Sequence, residues 1–219
     1  MKKYLNMLKR TRLFSGVGES EIEGMLLCLQ AKKLLLKKGE YMCRAGEHLN
    51  CVPLLAEGRL HVQSDDFWGN RAIMNVILPG EIFGESYLAP DSGPMQNDIL
   101  AIEDSVVICL DANKVMTTCS SGCRFHQTVV RNLFFEVSQR NRRLAQKLSH
   151  ISKRSTREKL ISYLSEQSKI NGSSIFQIPM NRQQLADFLS VDRSAMSNEL
   201  CKMRDEGLIS FDKNRFELL

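Results

Sequence analysis

Residues 124 to 151, RFHQTVVRNLFFEVSQRNRRLAQKLSHI, contain neither glycine nor proline. Within them Val130, Phe134, Val137, Asn141, Leu144, Leu148 and Ile151 follow one another at alternating steps of four and three. That is a heptad seam, the pattern of a helix paired along its length with another helix. At 1.5 Å per residue such a helix spans on the order of 40 Å, too long to bury itself against one small domain. A parallel homodimer, each copy supplying the same helix, is the simplest account. Asn141 is the polar member of the seam. Between two copies its amide can pair with its symmetry mate and fix register at some cost in stability; the alternative is that it faces solvent where the helix phase drifts.

The chain on either side has a different texture. From about Lys33 to Leu110 it is cut into short β-rich runs, among them HLNCVPLLAEG, GRLHVQSD, AIMNVILPG and DSVVICLD. Gly39, Gly46, Gly58, Gly69, Pro79-Gly80 and Gly84 separate them. Short strands with closely spaced turn signals predict an antiparallel sandwich or barrel. Ahead of it, Glu19-Ser20-Glu21 opens an apolar run at helical spacing (Ile22, Met25, Leu26, Leu29), a short leading helix. After the long helix, Ser155 or Thr156 with Glu158 marks a freshly capped helix, so a hinge is expected near Ser152–Ser155. NGSS (171–174) then marks a turn and IFQIP a short strand. The expected organisation is a β-rich domain over 1–123, the long helix over 124–152, and a C-terminal domain over 153–219.

Charge separates the same halves. Residues 1–138 hold 15 Lys/Arg and 16 Asp/Glu, a balance of −1, whereas residues 139–219 hold 15 and 9, a balance of +6. Residues 139–159 alone carry eight cations against a single acid, Glu158. A basic C-terminal half is the electrostatic footprint of a nucleic-acid-binding module, although a solvated basic surface gives the same count. No stretch approaches the roughly 20 apolar residues of a membrane span, and the basic start MKKYLNMLKR lacks an apolar export region. The seven scattered cysteines argue against a disulfide framework and for a reducing, cytoplasmic setting. No Ser/His/Asp constellation, paired-carboxylate motif or P-loop is present, so an enzyme is not expected, nor a cofactor.

The C-terminal segment MNRQQLADFLSVDRSAMSNELCKMRDEGLISFDKNRFELL carries the chemistry. Asn181 can cap a helix whose apolar face is Leu185, Phe188 and Leu189. Ser190-Val191-Asp192 turns the chain, and Asp192 caps a second helix with Met196, Leu200 and Met203 inward. Gly207 stops it; Leu208–Phe211, a polar turn at Asp212-Lys213-Asn214, and Arg215–Leu219 complete a hairpin. Helix, turn, helix and hairpin make a winged helix-turn-helix. The second helix places Arg193, Ser194, Ser197 and Asn198 on one face, where a helix in the major groove meets base edges. Arg193 can fork onto guanine and Asn198 onto adenine, each contact worth about 1–3 kcal/mol of discrimination. Arg182 and Gln183, at the start of the first helix, are placed to hold phosphates, and Lys213 in the wing turn is a further DNA-contact candidate. A helical hairpin with a merely solvated face is the bland alternative.

With KKGEYMCRAGE, VPLLAEGRLHV, GEIFGE, the long helix and NRQQLADFLSVDRSAMSNELCKMRDEGLIS in this order, the chain resembles the Crp/Fnr family of bacterial transcription regulators over essentially its whole length. The resemblance implies an α+β fold: an N-terminal double-stranded β-helix (a cyclic-nucleotide-binding-like β-roll), a long dimerisation helix and a C-terminal winged helix-turn-helix. It implies a homodimer on double-stranded DNA with a palindromic operator, a small-molecule effector of unknown identity, and RNA polymerase as a potential partner. Two departures stand out. In cyclic-AMP-binding members the loop that begins at the Gly84-Glu85 position ends in an Arg-Ser pair that holds the cyclic phosphate; here those positions are Met95 and Gln96. A buried phosphate without a cation is strongly penalised, so Gly84, Glu85, Met95 and Gln96 frame a pocket that should not bind cyclic AMP tightly. Met95 and Trp68 either line an apolar effector pocket or serve as packing. Secondly, well-studied members have Glu and Arg where this chain has Ser194 and Asn198, so the half-site sequence should differ from the familiar one.

Iron–sulfur-binding relatives use a tight N-terminal cysteine group, which Cys28, Cys43 and Cys51 do not form. Cys119 and Cys123, one turn apart, are the candidates for a redox or metal-sensing pair; idle thiols are the commoner outcome. His48, His61, His126 and His150 lack a ligand context and are read as surface or internally satisfied histidines, with no metal expected. A second alternative is a regulatory module that acts on a partner protein rather than on DNA.

Overall fold

A computed structural model describes residues 1–219 except 66, 69, 70, 90 and 118–123. The chain divides into two compact units, Met1–Ser138 and Gln139–Leu219, at the point where the charge balance changes sign. Each is described by itself.

The first unit opens with a 3-10 turn, Lys2–Tyr4, then α1 (Leu5–Arg10) and α2 (Glu19–Cys28). Seven strands follow: β1 (Lys32–Leu36), β2 (Tyr41–Cys43), β3 (Cys51–Glu57), β4 (Leu60–Asp65), β5 (Arg71–Ile77), β6 (Asp98–Ala101) and β7 (Ser105–Asp111). They form two antiparallel sheets of order β1-β7-β3 and β2-β6-β4-β5. The chain crosses between the sheets at β1–β2, β2–β3, β3–β4 and β6–β7, as a double-stranded roll requires. Gly58, at the β3–β4 turn with φ of +89°, has no room for a Cβ because the Ser105 hydroxyl and the backbone of residues 104–105 occupy that space.

Alternation on β3 and β7 builds two cores from one sheet. Val52, Leu54 and Ala56 on β3, with Val106, Ile108 and Leu110 on β7, face the N-terminal helices and join Leu8, Phe14, Ile22 and Leu29. Leu55, Val107 and Cys109 point the other way, into the roll, with Leu36, Cys43, Leu60, Ile77, Phe83, Met95 and Ile99. Each fully buried Leu or Ile adds about 1.5–3 kcal/mol of apolar stabilisation. Within residues 1–10, which in sequence read only as a basic start, Leu5–Arg10 form α1. Tyr4, Leu5 and Leu8 are buried there, but six helical residues are too few to show a period.

After α3 (Ala112–Met116), the long helix α4 spans Arg124–Ile151. In the first unit Val129 and Leu133 are buried against the roll-side core, and Asn132 Nδ2 donates to the carbonyls of Leu13 (3.0 Å) and Ser15 (2.8 Å). The seam lies on a different face: Phe134 is 72% exposed and Leu144 and Leu148 each 61%, Val137 and Asn141 are exposed, and Val130 and Ile151 are half-buried.

The second unit contains the end of α4, then α5 (Thr156–Asn171), β8 (Ile175–Gln177), α6 (Arg182–Leu189), α7 (Arg193–Asp205), β9 (Ile209–Asp212) and β10 (Arg215–Leu218). The strands pair in the order β8-β10-β9. Leu160, Leu164, Phe176, Leu185, Leu189, Met196, Leu200 and Phe216 form its core.

Candidate nucleic-acid interface and effector roll

The helix-turn-helix is defined by its caps. Asn181 Oδ1 accepts the Gln184 N–H at 2.9 Å and Gln184 Oε1 accepts the Asn181 N–H at 2.9 Å, a reciprocal box that starts α6. Ser190, at φ +53°, ends it in the left-handed region. Asp192 Oδ1 then accepts the Ala195 N–H at 2.8 Å and starts α7. Lys159 Nζ donates to the Leu189 and Ser190 carbonyls, both at 3.2 Å, which places a cation on the carbonyl end of α6. Arg157 pairs with Glu199 at 3.3 Å and with Glu206 through both guanidinium nitrogens. Glu206, and Glu199 with it, hold that guanidinium above its ordinary value. Arg157 therefore braces α5 against α7, and Lys159 braces it against the end of α6.

On α7 the inward face is Met196, Leu200 and Met203, all buried. Arg193, Ser194 and Asn198 are exposed together on the other side, and Ser197 is half-buried with its hydroxyl donating to the Arg193 carbonyl at 2.9 Å. Lys213 is exposed at the tip of the β9–β10 wing with φ +50°. Gln183 is exposed, its Nε2 donating to Asp187 Oδ1 at 2.8 Å. Arg182 behaves differently from the phosphate contact expected of it. Its guanidinium lies 4.7 Å from the Phe211 ring centroid and 5.0 Å from that of Phe216, and Nη1 is buried without a hydrogen bond. Burial lowers its affinity for its proton from the ordinary value. Arg182 fastens the wing to α6, and the two phenylalanines that recruit it lie on the following hairpin, out of reach of any local sequence pattern.

His150, read earlier as an isolated histidine, is 3% exposed at the end of α4. Its Nδ1 is 2.8 Å from Ser162 Oγ and its Nε2 2.7 Å from Glu166 Oε2. The ring meets Tyr163 edge-on at 5.8 Å. His126 is likewise satisfied, its Nε2 lying 3.1 Å from the Val115 carbonyl.

In the roll, Gly84 has φ +69° and precedes the 3-10 turn Glu85–Tyr87; a Cβ on it would run into the Leu49 side chain. Met95 is 4% exposed and belongs to the interior core, held by main-chain bonds with Glu47 and Gly46, both 2.8 Å. Gln96 is exposed and its N–H donates to the Tyr87 hydroxyl at 3.2 Å. Glu85 is half-buried. Among the described residues of the first unit no lysine or arginine is buried. Trp68 is 82% exposed and does not line the interior. Cys119 and Cys123 lie outside the described residues. Cys51 and Cys109 are diagonal neighbours across β3 and β7 and influence each other's ionisation. That proximity and burial raise the Cys51 thiol well above its ordinary value, and the same proximity lowers Cys109. Among the described residues no group of three or more His, Cys, Asp or Glu could hold a metal ion, and no helix is long and apolar enough to cross a membrane.

A roll joined through a long helix to a winged helix-turn-helix defines a class, the DNA-binding regulators with a cyclic-nucleotide-type sensor domain. A cyclic nucleotide-binding domain matches residues 33–121 and a Crp-like helix-turn-helix domain matches residues 142–219. The chain belongs to the Crp/Fnr family of transcription regulators. It is 23% identical over 211 residues to the Cyclic AMP receptor protein of Thermus thermophilus, covering 96% of this chain and 94% of that one. It is also 24% identical over 180 residues to human cGMP-dependent protein kinase 2, covering 80% of this chain but only 23% of the kinase. The crystal structure of the Thermus thermophilus Catabolite Activator Protein shares the fold at TM-score 0.51 and 22% identity, covering 95% and 94% of the two chains.

Proposed function

We propose that this regulator acts in the cytoplasm as a homodimer, paired along Val130, Phe134, Val137, Asn141, Leu144, Leu148 and Ile151, on a palindromic operator. The observation that carries the reading is the two-sidedness of α7: Met196, Leu200 and Met203 are buried while Arg193, Ser194 and Asn198 stand free on the opposite face. Gln183 and Lys213 add backbone contacts on either side, and Arg182 keeps the wing in place. Exposed leucines and phenylalanine at heptad spacing on α4 supply the partner face. The organisation is then a sensor over 1–123, a dimerisation helix over 124–152 and a DNA-binding domain over 153–219. An effector in the roll acts by binding the DNA-competent dimer better than the incompetent one. Cyclic AMP is a poor candidate, because Met95 fills the interior where a cation would be needed.

Selection of sites from random DNA tests the whole reading. The expected result is an inverted repeat with half-sites about 34 Å apart, one turn of DNA, whose half-site differs from the familiar family sequence. Failure to enrich any repeat sinks the proposal. Calorimetric titration with cyclic AMP should show no micromolar binding.

A further inference from the structure

The inner faces of β3 and β7 carry an arrangement that the DNA-binding reading does not use. Cys51 is opposite Asp111 and Pro53 is opposite Cys109, so Cys51 and Cys109 are diagonal neighbours on one face of the antiparallel pair. That face is the roll interior, since Leu55 and Val107 on it belong to the interior core. Both thiols are partly buried on that face, close enough that each shifts the other's ionisation. Cys43, Met42 and Met95 are members of, or packed against, the same interior cluster, so this part of the core is rich in sulfur. The pair also adjoins the Gly84 loop: the Phe83 N–H donates to the Pro53 carbonyl at 3.2 Å, and Pro53 is opposite Cys109.

Three chemistries could use two neighbouring thiols, and the geometry separates them. Diagonal residues have Cα atoms roughly 7–8 Å apart, beyond the reach of an unstrained disulfide, whose Cα separation is about 4.4–6.8 Å. A disulfide therefore requires backbone movement in a central sheet. Tetrahedral zinc needs four ligands, and among the described residues no group of even three is present. A soft ion satisfied by two thiolates needs neither change. Soft thiolate and thioether donors select monovalent copper over harder cations.

We propose that Cys51 and Cys109 form a two-thiolate site for a soft monovalent ion of the copper(I) type inside the roll. Each thiol loses its proton to solvent as its sulfur bonds the metal, and no oxidation state changes. The ion ties β3 to β7 beside the Gly84 loop, which makes a thiophilic ion the class of effector the roll would take; that last step rests on the regulatory function proposed above, whereas the site does not.

The test titrates the full-length, reduced protein with copper(I) under anaerobic conditions, in competition with a chromogenic copper(I) chelator. A C119S/C123S background removes the other close cysteine pair. The expected result is one ion per chain, with affinity lost by on the order of 100-fold or more in Cys51→Ser and in Cys109→Ser and unchanged in Cys28→Ser and Cys201→Ser. Should either serine variant misfold, alkylation mapping of the unmutated protein decides: copper(I) should shield Cys51 and Cys109 from a thiol reagent and leave Cys28 and Cys201 reactive. No bound ion, binding that survives both serine variants, or no shielding would each overturn the site. DNA affinity measured with and without copper(I) tests the regulatory consequence separately.

Discussion

The two units keep the same family architecture by opposite means. In the roll Gly84 turns through the left-handed region, while the interior is closed by Met95 and its hydrophobic neighbours. In the C-terminal unit the core is equally apolar, but the chemistry is held outside it, on the exposed face of α7. A pocket binds through what its interior presents, so replacing an inward cation removes the ligand. A groove-reading helix binds through what its exterior presents, so on the proposed function Ser194 and Asn198 would set the sequence read and leave the fold alone. The roll can lose its ligand without losing its structure; the winged helix can change its operator without losing its grip on DNA.

The largest expected effect strikes the core of the reading unit. Leu200→Ala, at a fully buried position, should cost about 2–5 kcal/mol; hydrogen exchange should locate the loosening within 139–219 and leave the roll strands protected. If protection falls equally in β3 and β7, the units are more tightly coupled than their separate cores suggest. Next in size, Leu144→Glu with Leu148→Glu places carboxylates in the proposed seam. Sedimentation should show monomers, and operator affinity should collapse while each unit keeps its own fold by circular dichroism.

Arg193→Ala should weaken operator binding by about 1–3 kcal/mol and relax preference at one base pair per half-site, measured by mobility shift on a substituted operator series. Arg182→Met tests the distinction between reading and holding. Losing a half-buried cation–π contact costs on the order of 1–2 kcal/mol, so thermal stability should fall with little change in sequence preference. A change of preference without a change of stability would return Arg182 to the interface.

The smallest effect is a pH test on the roll. Asp104 accepts from Lys37 Nζ at 2.9 Å and from the Lys38 N–H at 3.0 Å, and Lys37 first, then the Lys38 N–H, hold its carboxyl below the ordinary 3.8. A depressed folded value stabilises in full above the ordinary value and is lost as pH falls through the lowered one. Asp104→Asn should therefore lower the unfolding midpoint slightly near neutrality and have no effect in strong acid.

Some of this was legible in the residues alone. The heptad positions of α4, the caps at Ser155, Asn181 and Asp192, and the stop at Gly207 are local signals, because helix periodicity and capping act over a turn or two. α1 was missed, and the surroundings of Arg182 and His150 were not legible, for the complementary reason. Six residues of α1 show no period. Arg182 differs from a phosphate-binding arginine only through Phe211 and Phe216, which fold back over it. His150 differs from a surface histidine only through Ser162, Glu166 and Tyr163 on the next helix.

The sequence by itself determined where the longer helices begin and end, which of their faces are apolar, and that positive charge collects after residue 138, since each depends on near neighbours along the chain. Only the tertiary structure decided that Met95 seals the roll, that Arg182 clasps the wing, and that Cys51 neighbours Cys109. Those contacts join residues distant in sequence through sheet register and core packing, and register is set by the pairing of whole strands.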